Sequence, residues 1–126
     1  PVYYAHAGWE KDLDPERTMN LGDEITEKIL EQVPQAEGII YSVDLLAIGG
    51  LKAMGRRGVR VPQQIAVIGA DNTLYGKICT PQLTTLDNKL VEVSRNASRV
   101  LLSALEGKAD PRQILLLTEI IERETT

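Results

Sequence analysis

Short unbroken apolar runs alternate along this chain with longer stretches in which apolar residues recur every three or four positions. Gly38-Ile39-Ile40-Tyr41-Ser42 and Ile65-Ala66-Val67-Ile68-Gly69 are runs of the first kind, too short for helices and apolar in succession, as strands covered on both faces are. Val2 to Ala7, Leu83-Thr84-Thr85-Leu86 and Ile114 to Ile121 read as further strands. Between them lie three stripes: Thr18, Leu21, Gly22, Ile25, Ile29, Val33; then Leu45, Ile48, Leu51, Met54; then Leu90, Val93, Ala97, Val100, Leu101, Ala104. Each places its apolar residues on one side of a helix. A strand–helix alternation of this kind predicts an α/β fold: a three-layer, largely parallel sheet with helices on its faces and right-handed crossovers.

The punctuation agrees. Asp14-Pro15-Glu16 has the chemistry of a helix start, and Pro34 ends that helix. Gly22 inside its stripe leaves room for another backbone to approach. Asp44 is placed to cap the second helix, which Gly58 stops; a polar loop follows the 65–69 strand up to Pro81. Asp87 or Asn88 is placed to cap the third helix, and Gly107 to stop it.

Composition removes several classes. The chain has 126 residues, enough for one core. Cys79 is the only cysteine and His6 the only histidine, so neither a disulfide framework nor a structural zinc site of four N/S ligands fits. The 14 Lys and Arg against 18 Asp and Glu leave a net charge of −4, unlike a domain that grips nucleic acid by its own surface. No run approaches the roughly 18 apolar residues of a membrane span, since Asp44 interrupts even the stretch from Ile39 to Leu51. A strand that starts at residue 2, behind Pro1, points to a piece of a longer chain; a processed small protein is the alternative. Nothing at this end reads as a signal peptide.

In parallel sheets, ligands bind beyond the carboxyl ends of the strands. Three polar groups fall there: Asp44, Asp71, and the pair His6 and Trp9. Asp71 can accept hydrogen bonds from a small molecule's hydroxyl or N–H groups, or form a turn with Asn72. Trp9 offers a face for a sugar ring or base, or closes the edge of the core. Asp44 reads as a helix cap before it reads as a ligand contact. No serine or cysteine nucleophile is linked to His6, and Gly49-Gly50 does not follow a strand in a phosphate-cradling pattern. Lys52, Arg56, Arg57 and Arg60 around Gly58 read as a solvated helix end rather than a DNA-reading helix, because Pro62 leads straight into a strand.

Three linked stretches carry a family resemblance. Residues 41–53, YSVDLLAIGGLKA, resemble S-N-D-L-L-A-I-G-A-L-K-A; residues 61–72, VPQQIAVIGADN, resemble V-P-E-D-I-A-V-I-G-F-D-N; residues 80–86, TPQLTTL, resemble T-P-P-L-T-T-I. With their spacing and the closing residues 119–126, they are similar to the LacI family of bacterial transcription regulators, continuously from about Gly22 onward. The resemblance implies the C-terminal part of a two-lobed, periplasmic-binding-protein-like effector core: residues 1–82 in the C-terminal lobe, 83–107 crossing to an N-terminal lobe, and 108–126 returning. Helix 89–106 would then lack its partner, and would fold back, pair with another copy or stay poorly ordered.

Residue by residue, Asp71 matches the family's effector-binding aspartate. Val43 stands where an Asn is common, which makes the site less polar, and Ala70 stands where an aromatic is usual. Trp9 matches the stacking aromatic, and Arg17 is the ungapped alternative to it. Ile48, Leu51, Lys52, Lys77, Ile78, Thr80 and Pro81 match the family's dimer surface; ordinary core and loop positions are the other reading. The resemblance implies a cytoplasmic, non-enzymatic sensor of a small sugar or related metabolite. It implies a homodimer that uses no cofactor and no metal, and touches DNA only through a headpiece outside these residues. A periplasmic sugar-binding protein of a transport system is the rival.

Overall fold

The computed structural model describes residues 14–108 and 113–126. The first expected strand, Val2 to Ala7, and both His6 and Trp9 lie outside the described residues. Helix α1 runs Pro15–Gln32, with the Asp14 side chain accepting from the Glu16 N–H at 3.1 Å and Pro15 at the first position. Strand β1, Gly38–Ile40, leads to helix α2, Asp44–Arg56; Gly58 follows with φ +68°, a backbone that glycine adopts without strain. Then come strand β2, Ala66–Ala70, a short helix α3, Leu74–Ile78, and strand β3, Thr84–Asp87. Helix α4, Leu90–Leu105, and strand β4, Glu119–Ile121, complete the order.

The sheet order is β1-β2-β3-β4. β1, β2 and β3 are parallel, and β4 returns antiparallel to β3 with Asp87 opposite Glu119. The expected α/β class, a mostly parallel sheet with helices packed on it, is what forms. The core joins Ile39, Tyr41, Ala47, Met54, Ile65, Val67 and Leu83, all buried. Ile29 and Leu30 of α1 reach it from outside α2. Gly22 and Gly49 let α1 and α2 touch backbone to backbone. A Cβ at Gly22 would collide with the Leu46 backbone, and one at Gly49 with the Met19 carbonyl.

Several expectations require correction. Asp44 does not cap α2: Val43 is the N-cap, with no side-chain cap bond, and Asp44 is the first residue of the helix. Lys89, at φ +54°, rather than Asp87 or Asn88, holds the N-cap position of α4; Asp87 instead accepts the Lys89 N–H at 2.8 Å. The polar stretch before Pro81 contains α3, which is too short for a periodic signal. Of the expected strand Ile114 to Ile121 only the last three residues pair, because β3 offers them only Thr85, Leu86 and Asp87. Ile40 is 79% exposed, so among the described residues β1 is not covered on both faces.

The basic cluster lies exposed at the end of α2, as expected, and it is also paired across to α1. Arg56 donates to both carboxylate oxygens of Asp23 and, at 2.8 Å, to Glu27; Arg57 donates to Glu27 at 2.6 Å and to Glu31 at 3.1 Å. Asp23, Glu27 and Glu31 follow one another every four residues on α1 and present an acidic row to the end of α2. The periodicity of either helix alone does not say which face of the other it meets.

Candidate functional site

The carboxyl ends of β2 and β3 come together at Asp71. Its N–H donates to the Leu86 carbonyl at 2.8 Å, which extends the β2–β3 ladder by one bond. Its φ is +97°, and Asn72 follows at +49°. A left-handed backbone on two consecutive non-glycine residues is uncommon and costs of order 1–3 kcal/mol for each residue held in a sparsely populated region. The turn with Asn72 is therefore real, and it directs the partly exposed Asp71 carboxylate toward the end of β3. There Oδ1 accepts from Asn88 Nδ2 at 2.9 Å.

The turn is tied down on several sides. The Asn72 N–H donates to Thr85 Oγ1 at 3.3 Å, and Asn72 Nδ2 donates to Asp87 Oδ2 at 3.3 Å. Arg123 donates to Asn72 Oδ1 at 2.6 Å and to the Leu83 carbonyl. Backbone and side-chain donation from Lys89, with Asn72 beside it, holds the Asp87 carboxyl below the usual carboxylate range. Lys89 Nζ reaches Glu119 at 2.7 Å as well, so one ammonium joins the facing ends of β3 and β4. Behind the turn, Asp44 is fully buried, and its carboxylate accepts from Thr73 and Thr85.

Beyond Asn88 an open groove of about 660 Å³ runs under α4, lined by Val93, Ala97, Val100 and Ala104 on one side and Ile114 and Leu116 on the other. None of the described residues of α4 is buried: Leu101 is 60% exposed and Leu105 76%. The expected stripe thus forms a helix without a covering partner among the described residues.

The other sequence candidates scatter. Val43 is half-buried at the start of α2, and Arg17 is exposed on the first turn of α1. Ile48 and Leu51 pack against the core, and Lys52 lies 3.8 Å from Asp23. Lys77 and Ile78 are exposed on α3, where Leu74 (68% exposed) and Tyr75 join them in an apolar surface; Thr80 and Pro81 follow across a cis peptide bond. Cys79 is half-buried, and burial pushes its thiol up, the wrong direction for a nucleophile. Among the described residues, no group of three or more His, Cys, Asp or Glu is placed to hold a metal ion. Sequence reasoning missed Asn88, Arg123 and Thr73 as members of this cluster. They meet only through strand register, and neither motif nor period signals that.

A family model described as a periplasmic binding protein-like domain matches residues 2–126. Among curated proteins, the chain is 38% identical over 108 residues to the HTH-type transcriptional regulator GntR of Pseudomonas aeruginosa, covering 84% of this chain and 31% of that protein. It is 31% identical over 103 residues to the ribose operon repressor of Halalkalibacterium halodurans, covering 81% of this chain and 31% of that one. Among solved structures, a LacI family transcriptional regulator from Arthrobacter sp. FB24, in complex with lactose, superimposes with a TM-score of 0.78 at 35% identity, covering 86% of this chain and 41% of that one. The chain spans about a third of the length of the curated relatives it matches.

Proposed function

The chain belongs to the periplasmic binding protein-like domain family, as part of a LacI-type core, and on that premise we propose that it supplies one wall of an effector site. Its relatives are transcription regulators rather than enzymes. The effector is a small sugar or sugar derivative, its hydroxyls donating to the Asp71 carboxylate. The carrying observation is Asp71 itself: a partly exposed carboxylate on a strained turn at the strand ends, with Asn88 Nδ2 donating to it. The lactose complex of the Arthrobacter relative supports the sugar class.

In this reading residues 83–107 cross to a second lobe and 108–126 return, which accounts for the uncovered face of α4. Effector held between lobes shifts their closed and open populations by its differential affinity. The apolar surface of α3 with Lys77, Thr80 and Pro81 serves a homodimer, through which the shift reaches DNA-binding segments elsewhere in the protein. Among the described residues, no helix is long and apolar enough to cross a membrane. The relatives' own names favour a regulator over a transport protein.

The test is calorimetric titration of the complete protein carrying this chain with lactose and a panel of neutral mono- and disaccharides. Asp71→Asn keeps a residue that tolerates a left-handed backbone, so the turn survives while the charge goes. We expect affinity for any sugar hit to fall at least tenfold. Unchanged affinity in that variant removes Asp71 from the site.

A further inference from the structure

A buried carboxylate stands between the Asp71 turn and α3. Asp44 is 0% exposed in the first turn of α2. Three donors converge on it: the Thr73 N–H at 2.6 Å and the Thr73 hydroxyl at 2.8 Å on Oδ2, and the Thr85 hydroxyl at 2.5 Å on Oδ1. Gly69 makes room for it: a Cβ there would lie 2.5 Å from Oδ1. The donors come from two separate parts of the fold. Thr73 ends the turn that begins at Asp71 and is the N-cap of α3, and Thr85 is in β3, where it also accepts the Asn72 N–H.

The structure assigns Asp44 to a positioning role: it locks the Asp71–Thr73 turn and α3 into one unit, so that the aim of the Asp71 carboxylate and the presentation of Leu74, Tyr75 and Ile78 change together. The importance of Asp71's aim rests on the effector reading above; the lock itself does not. A carboxyl group offers one oxygen to Thr73 and the other to Thr85, whereas an amide has a single acceptor oxygen. Asn in its place turns an amide NH₂ toward groups that themselves donate. By linkage, whatever holds Asp71 also holds α3, and whatever seats α3 on a partner also holds Asp71.

The test is backbone amide exchange on the 126-residue chain, with thiol labelling of Cys79 as a second measurement. Cys79 closes α3, its Sγ donating to the Gly76 and Pro81 carbonyls, so its labelling rate reports displacement of that helix. In Asp44→Asn, amides from 71 to 79 should exchange at least tenfold faster and Cys79 should label severalfold faster, with α1 and the body of α2 unchanged. Thr73→Val, which removes one donor and leaves the fold's only change at the turn, should give a smaller rise over the same residues. An even rise across α1 and α2, or none at 71–79, in whichever variant folds, overturns the assignment. No ligand enters the measurement. A chain that shows the localised rise while the complete protein ignores every sugar sinks the effector reading alone.

Discussion

Tyr41 illustrates how a single polar atom inside the core sets a pH limit. Its hydroxyl shares a 2.6 Å hydrogen bond with Thr26 Oγ1, which also donates to the Gly22 carbonyl at 2.6 Å. Burial pushes the phenol up to about 12 from an ordinary value of 10.0. The folded state therefore keeps its proton where the unfolded chain loses it. The stability that hangs on Tyr41 is complete below pH 10 and declines as pH rises toward 12, by about 2–3 kcal/mol for a separation of two pH units. Urea denaturation at pH 8 and pH 11.5 should show the fall, and Tyr41→Phe should flatten it. Thr125 is a second such atom: its buried hydroxyl accepts the Thr84 N–H at 2.8 Å and donates to the Val67 carbonyl at 2.7 Å. Thr125→Val leaves both backbone groups unpaired and should cost about 1–3 kcal/mol in the same denaturation assay.

At the scale of elements, the α1–α2 pair is the firmest part of the described fold, made by close backbone approach and by charge. Gly22→Ala sets a methyl against the Leu46 backbone, where no flexible side chain can yield. The helices must part, and a cost of about 1–3 kcal/mol in thermal or urea unfolding is expected. The acidic row answers to pH in the opposite sense from Tyr41. Donation from Arg56 lowers the Asp23 carboxyl, and donation from Arg57 and then Arg56 lowers Glu27. Their contribution is present above the unfolded carboxylate values of 3.8 and 4.5 and is lost as pH falls through the lower folded values. Acid denaturation followed by circular dichroism should show the wild-type midpoint shift upward in pH in Arg56→Met. The boundaries of α1, including its cap and Pro34, were legible in the chain. The face α1 turns to α2 was legible only at Gly22, because an acidic row reads as solvated surface until its cations are in view.

On the scale of the whole molecule, the described fold has a well-packed body and an arm. No residue of α4 is buried, and just before it Lys89 ties Asp87 of β3 to Glu119 of β4. Exchange of α4 amides in the isolated chain should exceed that of α1 and α2 by at least a hundredfold. Leu101→Ser, at a 60% exposed position, should change global stability by no more than about 0.5 kcal/mol. A larger loss would mean that the stripe is covered in solution.

The chain on its own determined the class of fold, since strand and helix periods are local and survive any tertiary arrangement. It determined the short-range punctuation at Asp14, Pro34, Gly58 and Gly107 for the same reason. It also singled out Asp71, through its place at a strand end. The tertiary structure decided the rest. Asp44, read as a cap, became a buried three-way anchor only when β3 brought Thr85 beside the turn at Thr73. Asn88 became the partner of Asp71, and Arg123 the brace of Asn72, through pairings 17 and 51 residues apart. Hydrogen bonds of that reach depend on strand register, and register is a property of two segments at once.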